Sequence, residues 1–310
     1  MISAGQAVSR RPDSTHEHAF SYLKCAVTCH DVFVAKRYRL VCALAAAAAA
    51  VSACSTAVSG TPVSDTPNAP AAGAAVSVTP SGVTTRWIDV SGQGVVVKDS
   101  RGGQFGSLPY PGTVIAQHQN DGSTKICTLG PAVADKATKR TGFVGAGHCD
   151  NSPGGETFVF ADSEGNEAIP VGVYAHSEDA PTPLGYSDSA VIWSKALDPR
   201  STLIAGTWPV SGVMPAEDVR KLRAGTPVCI DGAVSGVVCS PLVRANNDYI
   251  LTAPMTHPGD SGAAVFLVDE KTLQATLIGI HSGTEDGHSE ATFLEPALTR
   301  LGATALTASP

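Results

Sequence analysis

Aromatic residues are scarce in this chain of 310 residues, at 5% of its composition, whereas glycine (31 residues) and proline (21 residues) are plentiful. Both residues interrupt helices and favour turns, so the composition argues against a helical bundle and suits short strands joined by many turns. No repeat of fixed period occurs, which excludes an architecture of stacked repeats. Because 43% of the residues are apolar, the chain can still bury a sizeable core.

Positive charge is also in short supply. The 21 lysines and arginines face 28 aspartates and glutamates, and the net charge is −7. Proteins that bind nucleic acids carry the opposite excess, so we expect no nucleic-acid partner. An acidic balance is typical of a soluble, exported protein.

The chain lacks an apolar run long enough to span a membrane comfortably. Its longest run, Leu40 to Val51, has the length of a signal-peptide core and follows the basic segment KRYR at 36–39. The run ends in VSAC at 51–54, which resembles a bacterial lipobox. The resemblance implies cleavage before Cys54 and acylation of its sulfur, so that the lipid is the only membrane anchor. An ordinary signal peptide cut nearby is the alternative.

The composition divides the chain into five segments. Residues 1–33 are polar and patternless, and we expect this extension to be untranslated or disordered. The lipoprotein signal peptide occupies 34–54, and residues 55–85, without large apolar side chains apart from valine, form a flexible linker. We predict a lead strand and a first β-barrel in 86–198, and a second β-barrel with a C-terminal helix in 199–310.

Strand signals dominate from Arg86 onward. About fourteen short alternating or apolar runs occur there, each bounded by turn residues, and only 215–225 and 293–306 have helical patterns. This spacing predicts an all-β fold, either a sandwich or a barrel.

Four cysteines lie beyond the signal peptide, namely Cys127, Cys149, Cys229 and Cys239. An even number in an exported chain predicts disulfides, and the sequence allows three pairings, of which the local one is the natural choice. A zinc site is the competing interpretation, but the CxxC spacing is absent and we expect no metal or cofactor.

The segment THPGDSGAAVF, 256–266, places Ser261 in a tight glycine-bounded turn ahead of an apolar strand. A serine hydroxyl becomes a nucleophile when a base takes its proton and a carboxylate orients that base. His148 follows an apolar strand in TGFVGAGHC, and Asp188 begins one in SDSAVIW. The amides of Gly259 and Ser261 can point at one spot and bind an oxyanion. The order His, Asp, Ser in three such settings predicts nucleophilic catalysis.

These motifs resemble those of chymotrypsin-like serine peptidases, and GFVGAGHC with PGDSG is most similar to the bacterial α-lytic protease and streptogrisin group. The resemblance covers about 110–305. It implies two six-stranded antiparallel Greek-key β-barrels with a C-terminal helix, and the disulfides Cys127–Cys149 and Cys229–Cys239. It further implies that Ser261 is the nucleophile, His148 the base and Asp188 the orienting acid.

The sequence departs from the family pattern at two positions. Ala263 stands where GDSGG has its last glycine, and Gly145 stands where TAGHC has threonine. Asp162 and Asp179 also lie between His148 and Ser261, but neither begins an apolar strand. No long pro-region is visible.

The segment GIHSGT, 279–284, resembles the strand beside the substrate pocket, which assigns substrate binding to His281, Ser282, Gly283 and Thr284. Glutamyl endopeptidases of this fold carry a histidine at the position of His281. An imidazole can donate to a carboxylate, so we expect a preference for cleavage after Glu. The alternative is that His281 is a semi-buried strand residue with locally satisfied nitrogens.

The sequence therefore predicts an exported, monomeric serine endopeptidase, anchored by lipid on the outer face of the cell membrane, that acts on protein or peptide substrates. The rival from another class is a catalytically inactive binding module with the same fold. An esterase using the same three residues is a third alternative.

Overall fold

The computed structural model describes residues 76–78, 84–94, 104–183 and 185–309. The predicted extension, the signal peptide with Cys54 and most of the linker lie outside these residues. Within the described part of the chain, no helix is both long and apolar enough to cross a bilayer.

Eighteen strands carry the described fold. In chain order they are β1 (Val76–Val78), β2 (Thr84–Ile88), β3 (Val114–His118), β4 (Thr124–Thr128), β5 (Ala132–Asp135), β6 (Thr141–Gly145), β7 (Glu156–Phe160), β8 (Ala168–Thr182), β9 (Gly185–Trp193), β10 (Leu203–Ile204), β11 (Trp208–Val213), β12 (Pro227–Gly232), β13 (Gly236–Ala245), β14 (Ile250–Thr252), β15 (Ala264–Asp269), β16 (Ala275–Glu285), β17 (His288–Phe293) and β18 (Ala303–Ala305). The helices are the α-helices Ala216–Val219 and Leu294–Leu301 and the 3-10 helices Gly147–Cys149 and Pro199–Thr202.

The second half of the chain forms a closed barrel. Its sheet runs β1-β2-β15-β12-β13-β14-β17-β16-β11-β10, and an additional β15–β16 pairing closes the six strands from β15 to β16 into a ring. The pairing within this ring is antiparallel. β15 is buried at five successive positions, as expected of a strand with a covered face on each side.

The first half forms an eight-stranded antiparallel sheet in the order β18-β5-β6-β9-β8-β7-β3-β4. Strands β4 and β5 are consecutive in the chain but do not form a ladder with each other. Gly130 and Pro131 separate them, and Pro131 has no N–H to donate. Instead, Gly130 N donates to Val144 O (2.9 Å) and Val144 N donates to Pro131 O (3.0 Å), which ties this turn to β6.

The all-β class is confirmed, and this strand arrangement is chymotrypsin-like. Two segments pair across the predicted boundary at residue 198. Strand β2 pairs with β15 in the second half, and β18 pairs with β5 in the first. The helix Leu294–Leu301 buries its apolar side in a core cluster that also contains Val144 and Phe266, so it contacts side chains of both halves.

Two disulfides lock local segments, as the local pairing predicts. Cys127–Cys149 joins β4 to the helix Gly147–Cys149, and Cys229–Cys239 joins the paired strands β12 and β13. The first bridge therefore holds the segment around His148 against β4.

Candidate active site

His148 lies in the 3-10 helix that follows β6. Gly147 before it packs against the Glu178 carbonyl so closely that no side chain fits there. The carbonyl of His148 accepts hydrogen bonds from Lys125 Nζ (2.8 Å) and Asn151 Nδ2 (2.9 Å). The backbone at His148 is therefore held from two sides, while its side chain stays 26% exposed.

Asp188 is the carboxylate that contacts His148. Its side chain is 3% exposed, and its two oxygens accept from His148 N (2.9 Å) and His148 Nδ1 (2.7 Å). A proton on Nδ1 leaves Nε2 with a free lone pair, which is the tautomer a general base requires. Thr292 Oγ1 donates to the Asp188 carbonyl (3.3 Å), so β17 of the barrel supports this strand.

The two other aspartates considered from the sequence lie in different surroundings. Asp179 accepts a hydrogen bond from the Tyr186 hydroxyl (2.7 Å). Asp162 caps its own turn by accepting from Glu164 N (2.9 Å) and Gly165 N (3.1 Å). Neither has a hydrogen bond to His148 in the part of the chain that the structure describes.

Asp260 builds the turn that carries Ser261. It is fully buried, and its carboxylate accepts from Val234 N (3.0 Å), Ser235 N (3.0 Å), Ser235 Oγ (2.5 Å) and His257 N (2.8 Å). These four donors satisfy a buried charge and fix the turn from outside the motif. The carboxylate thus supports the turn, as expected.

The backbone of this turn leaves two amides free. Asp260 N donates to His257 O (3.1 Å) and Gly262 N donates to His281 O (2.8 Å). The alternate amides, those of Gly259 and Ser261, have no acceptor among the described residues. Gly259 has φ +104°, a conformation that favours glycine and turns its peptide relative to its neighbours.

The turn packs directly on the segment that precedes His148. Thr128 N donates to Ser261 O (2.7 Å), and Thr128 adjoins Cys127, which is bonded to Cys149. A Cβ at Gly262 would lie 2.5 Å from Thr128 O and 3.2 Å from Ala146 N. Ser261 Oγ has no hydrogen bond to a described residue. Hydrogen bonds between nucleophile and base are often long in the free protein and tighten with substrate.

Ala263 and Gly145, the two departures from the family pattern, are both accommodated. Ala263 is fully buried in the core cluster of the barrel. A Cβ at Gly145 would lie 3.4 Å from the Tyr174 ring, so a side chain there meets an aromatic neighbour at ordinary contact distance.

His281 is buried on β16, at 2% exposure. Burial lowers its pKa to about 4, against the attraction of the Asp260 and Asp188 carboxylates, which raises it. The imidazole is therefore neutral at neutral pH. Ser282 Oγ beside it is buried and has no hydrogen-bond partner in the described structure, whereas Thr284 is exposed.

Thr256, Ser289 and Lys125 join this neighbourhood although the sequence did not single them out. Thr256 Oγ1 lies 3.0 Å from Ser289 Oγ and 3.3 Å from Thr284 Oγ1. Burial lowers the pKa of Lys125, and the Asp188 and Asp179 charges oppose that shift. Thr256 could have been suspected from its place five residues before Ser261, but no local pattern marks the other two.

One group of potential metal ligands includes His148. A ring nitrogen of His148 and the sulfurs of Cys127 and Cys149 lie within 4.8 Å of one another. The two sulfurs are bonded to each other, so neither is the thiolate that a zinc site uses. This group does not suit a metal ion.

A cavity of about 370 Å³ lies away from His148 and Ser261, between the β8–β9 hairpin and the helix Leu294–Leu301. Its charged residues already have partners, because Arg300 donates to His176 O (2.7 Å) and Ser189 O (2.7 Å) and pairs with Glu178 (2.8 Å). The cavity therefore presents mostly apolar walls.

No protein-family model matches this sequence, and no curated protein matches it. Among solved structures, one similar chain is a glutamic-acid-specific serine protease described as using a histidine triad in substrate binding. It has 20% identity and a TM-score of 0.46, and the match covers 64% of this chain and 100% of that one. A Nocardiopsis protease has 22% identity, a TM-score of 0.44, and coverage of 63% and 98%. Thermobifida fusca protease A has 22% identity, a TM-score of 0.43, and coverage of 64% and 98%.

Proposed function

We propose that this protein is a serine endopeptidase that uses Ser261, His148 and Asp188. The observation that carries the proposal is the pair of hydrogen bonds from His148 to the buried Asp188, which fixes the imidazole beside the Ser261 turn. The free amides of Gly259 and Ser261 supply the second requirement, two donors for a developing oxyanion.

In the proposed reaction, Ser261 Oγ attacks the carbonyl carbon of the scissile peptide bond while His148 Nε2 takes the hydroxyl proton. The carbonyl oxygen becomes an oxyanion that the amides of Gly259 and Ser261 bind. When the tetrahedral intermediate collapses, the C–N bond breaks and His148 gives its proton to the leaving amine. Water then hydrolyses the acyl-enzyme by the same route, and Asp188 stabilises the imidazolium in both halves.

The proposal includes a preference for Glu before the scissile bond. The position of His281 next to Ser282, together with the exposed hydroxyl of Thr284, supports it. Because burial holds the pKa of His281 at about 4, the ring offers hydrogen bonding rather than charge at neutral pH. A bound carboxylate would favour the protonated ring, so we expect the preference for Glu to strengthen as the pH falls.

We also propose export and lipid anchoring through Cys54, which lies outside the described residues. The disulfides Cys127–Cys149 and Cys229–Cys239 support an oxidising compartment. Mass spectrometry of the mature N-terminus tests this proposal. A chain that begins at Cys54 with an acyl mass supports the anchor, and a chain that retains 34–53 contradicts it.

Labelling by a serine-directed phosphonate and hydrolysis of a mixed peptide library test the peptidase proposal on the full chain. Ser261→Ala is the critical variant, and Ser211→Ala, an exposed serine on β11, is the matched control. We expect Ser261→Ala to abolish both signals and the control to retain them. Folded, disulfide-bonded protein without either signal would instead support a binding module, and hydrolysis of esters without peptides would support an esterase.

A further inference from the structure

We propose that the hydroxyls of Ser289, Thr256 and Thr284 form a directional hydrogen-bond chain whose last donor selects a substrate side chain that ends in an oxygen acceptor. The selected side chain is that of the residue before the scissile bond. This inference rests on the proposed peptidase function.

The buried end of the chain sets its direction. Ser289 Oγ accepts a hydrogen bond from Met255 N (3.0 Å), and Ser289 is only 2% exposed. Buried hydroxyl protons almost always find an acceptor. Thr256 Oγ1, at 3.0 Å, is the acceptor that the structure offers to Ser289. Ser289 therefore donates to Thr256.

The same reasoning carries the direction outward. Thr256 Oγ1, having accepted from Ser289, donates its own proton to Thr284 Oγ1 at 3.3 Å. Thr284 is exposed, and its proton has no acceptor among the described residues. A chain of hydroxyls aligned in this way polarises each member, which strengthens the final donor.

The chain lies beside the nucleophile turn. Thr256 belongs to the segment that leads into Ser261. Thr284 belongs to β16, where His281 pairs with both residues that follow the nucleophile, through Gly262 N to His281 O (2.8 Å) and His281 N to Ala263 O (2.9 Å). The three hydroxyls therefore join the two segments that flank Ser261.

A site that ends in a fixed donor discriminates by hydrogen bonding. A side chain with a terminal oxygen satisfies the donor, while an aliphatic side chain of similar length displaces water from it and leaves it unpaired. The amide oxygen of Gln and the carboxylate of Glu share this chemistry, whereas the thioether of Met has nearly the same length and is a weak acceptor.

Four peptides that differ only in the residue before the scissile bond, Gln, Glu, Met or Ala, test the proposal with the full chain. The values of kcat/KM are normalised to the sites that a phosphonate without side-chain selectivity labels. The variants are Thr256→Val, Thr284→Val and both together, since valine keeps the shape of threonine without its hydroxyl. Thr276→Val, which removes a hydroxyl on β16 that contacts Ser211, is the matched control.

We expect the wild type to favour Gln and Glu over Met. Each single variant should lower the Gln-to-Met ratio by about tenfold, the effect of one hydrogen bond. The double variant should lower it no further, because both changes break one chain. The control should keep the ratio. Thr284→Val changes an exposed residue, so it provides the test if Thr256→Val does not fold.

Equal rates on the Gln and Met peptides in the wild type would overturn the hydrogen-bond chain, and so would additive losses in the double variant. Both results leave phosphonate labelling intact, so they contradict this inference alone. Absence of labelling and of hydrolysis would instead contradict the proposed function. The Gln-to-Glu ratio shows whether charge adds to the selection.

Discussion

Asp231 and His281 are two buried ionisable groups whose responses to pH should cancel. Asp231 is fully buried on β12, where it accepts from Gln104 Nε2 (2.8 Å) and Ala205 N (3.0 Å). Burial outweighs these donors and raises its pKa from 3.8 to about 6. Burial acts on the base His281 in the opposite direction, lowering its pKa from 6.5 to about 4.

The two shifts have opposite effects on the free energy of unfolding. Between about pH 4 and pH 6, the folded protein holds a proton on Asp231 that the unfolded chain lacks, so this group stabilises the fold as the pH falls. Over nearly the same range, the unfolded chain holds a proton on His281 that the folded protein lacks, so this group destabilises the fold as the pH falls. Each shift of about two units corresponds to about 3 kcal/mol, so the contributions nearly cancel.

Removing one group should expose the other. We expect Asp231→Asn to lose about 3 kcal/mol relative to the wild type between pH 7 and pH 4, and His281→Gln to gain a similar amount over the same range. Urea unfolding at several pH values, in a Ser261→Ala background that prevents self-digestion, measures both. A constant offset at all pH values reflects lost contacts and does not bear on the reasoning. Curves for both variants that stay parallel to the wild type would refute it.

Three further substitutions have defined expectations. Asp188→Asn should lower kcat on a peptide substrate by about four orders of magnitude, because an amide favours the wrong tautomer of His148; a loss below tenfold would contradict the proposed base. Gly262→Ala should cost roughly 1–3 kcal/mol of stability in thermal unfolding, because φ is +90° and Thr128 O blocks a side chain, and at least as much as Gly287→Ala, where φ is +74° but space is open. Replacing both Cys127 and Cys149 by Ala should cost roughly 3 kcal/mol, and an unchanged midpoint would show that the 22-residue separation adds little.

Local patterns predicted helices less well than strands. The pattern at 215–225 predicts a helix, but the α-helix spans only Ala216–Val219. The pattern at 293–306 predicts one longer helix than exists. The helix ends at Leu301, because Gly302 adopts φ +63° and the next three residues pair with β5. A strand partner from the other half of the chain decided that boundary, and local propensity carries no information about it.

Only the fold could distinguish Asp188 from Asp162 and Asp179. All three precede Ser261 in the chain, and the choice depends on which carboxylate the pairing of β6 with β9 brings to His148. The strand context favours Asp188, and the hydrogen bonds of His148 agree with that preference.

The sequence by itself determined the features that depend on neighbouring residues: the all-β class from its short bounded runs, the pairing of nearby cysteines, and the glycine-bounded turn at Ser261. The tertiary structure alone decided which side chains meet across distant segments. It placed Thr256 between Thr284 and Ser289, buried Asp231 beneath Gln104, and set the opposite pKa shifts of Asp231 and His281. Burial and long-range contact depend on how the strands pair and pack, and a linear pattern does not record either.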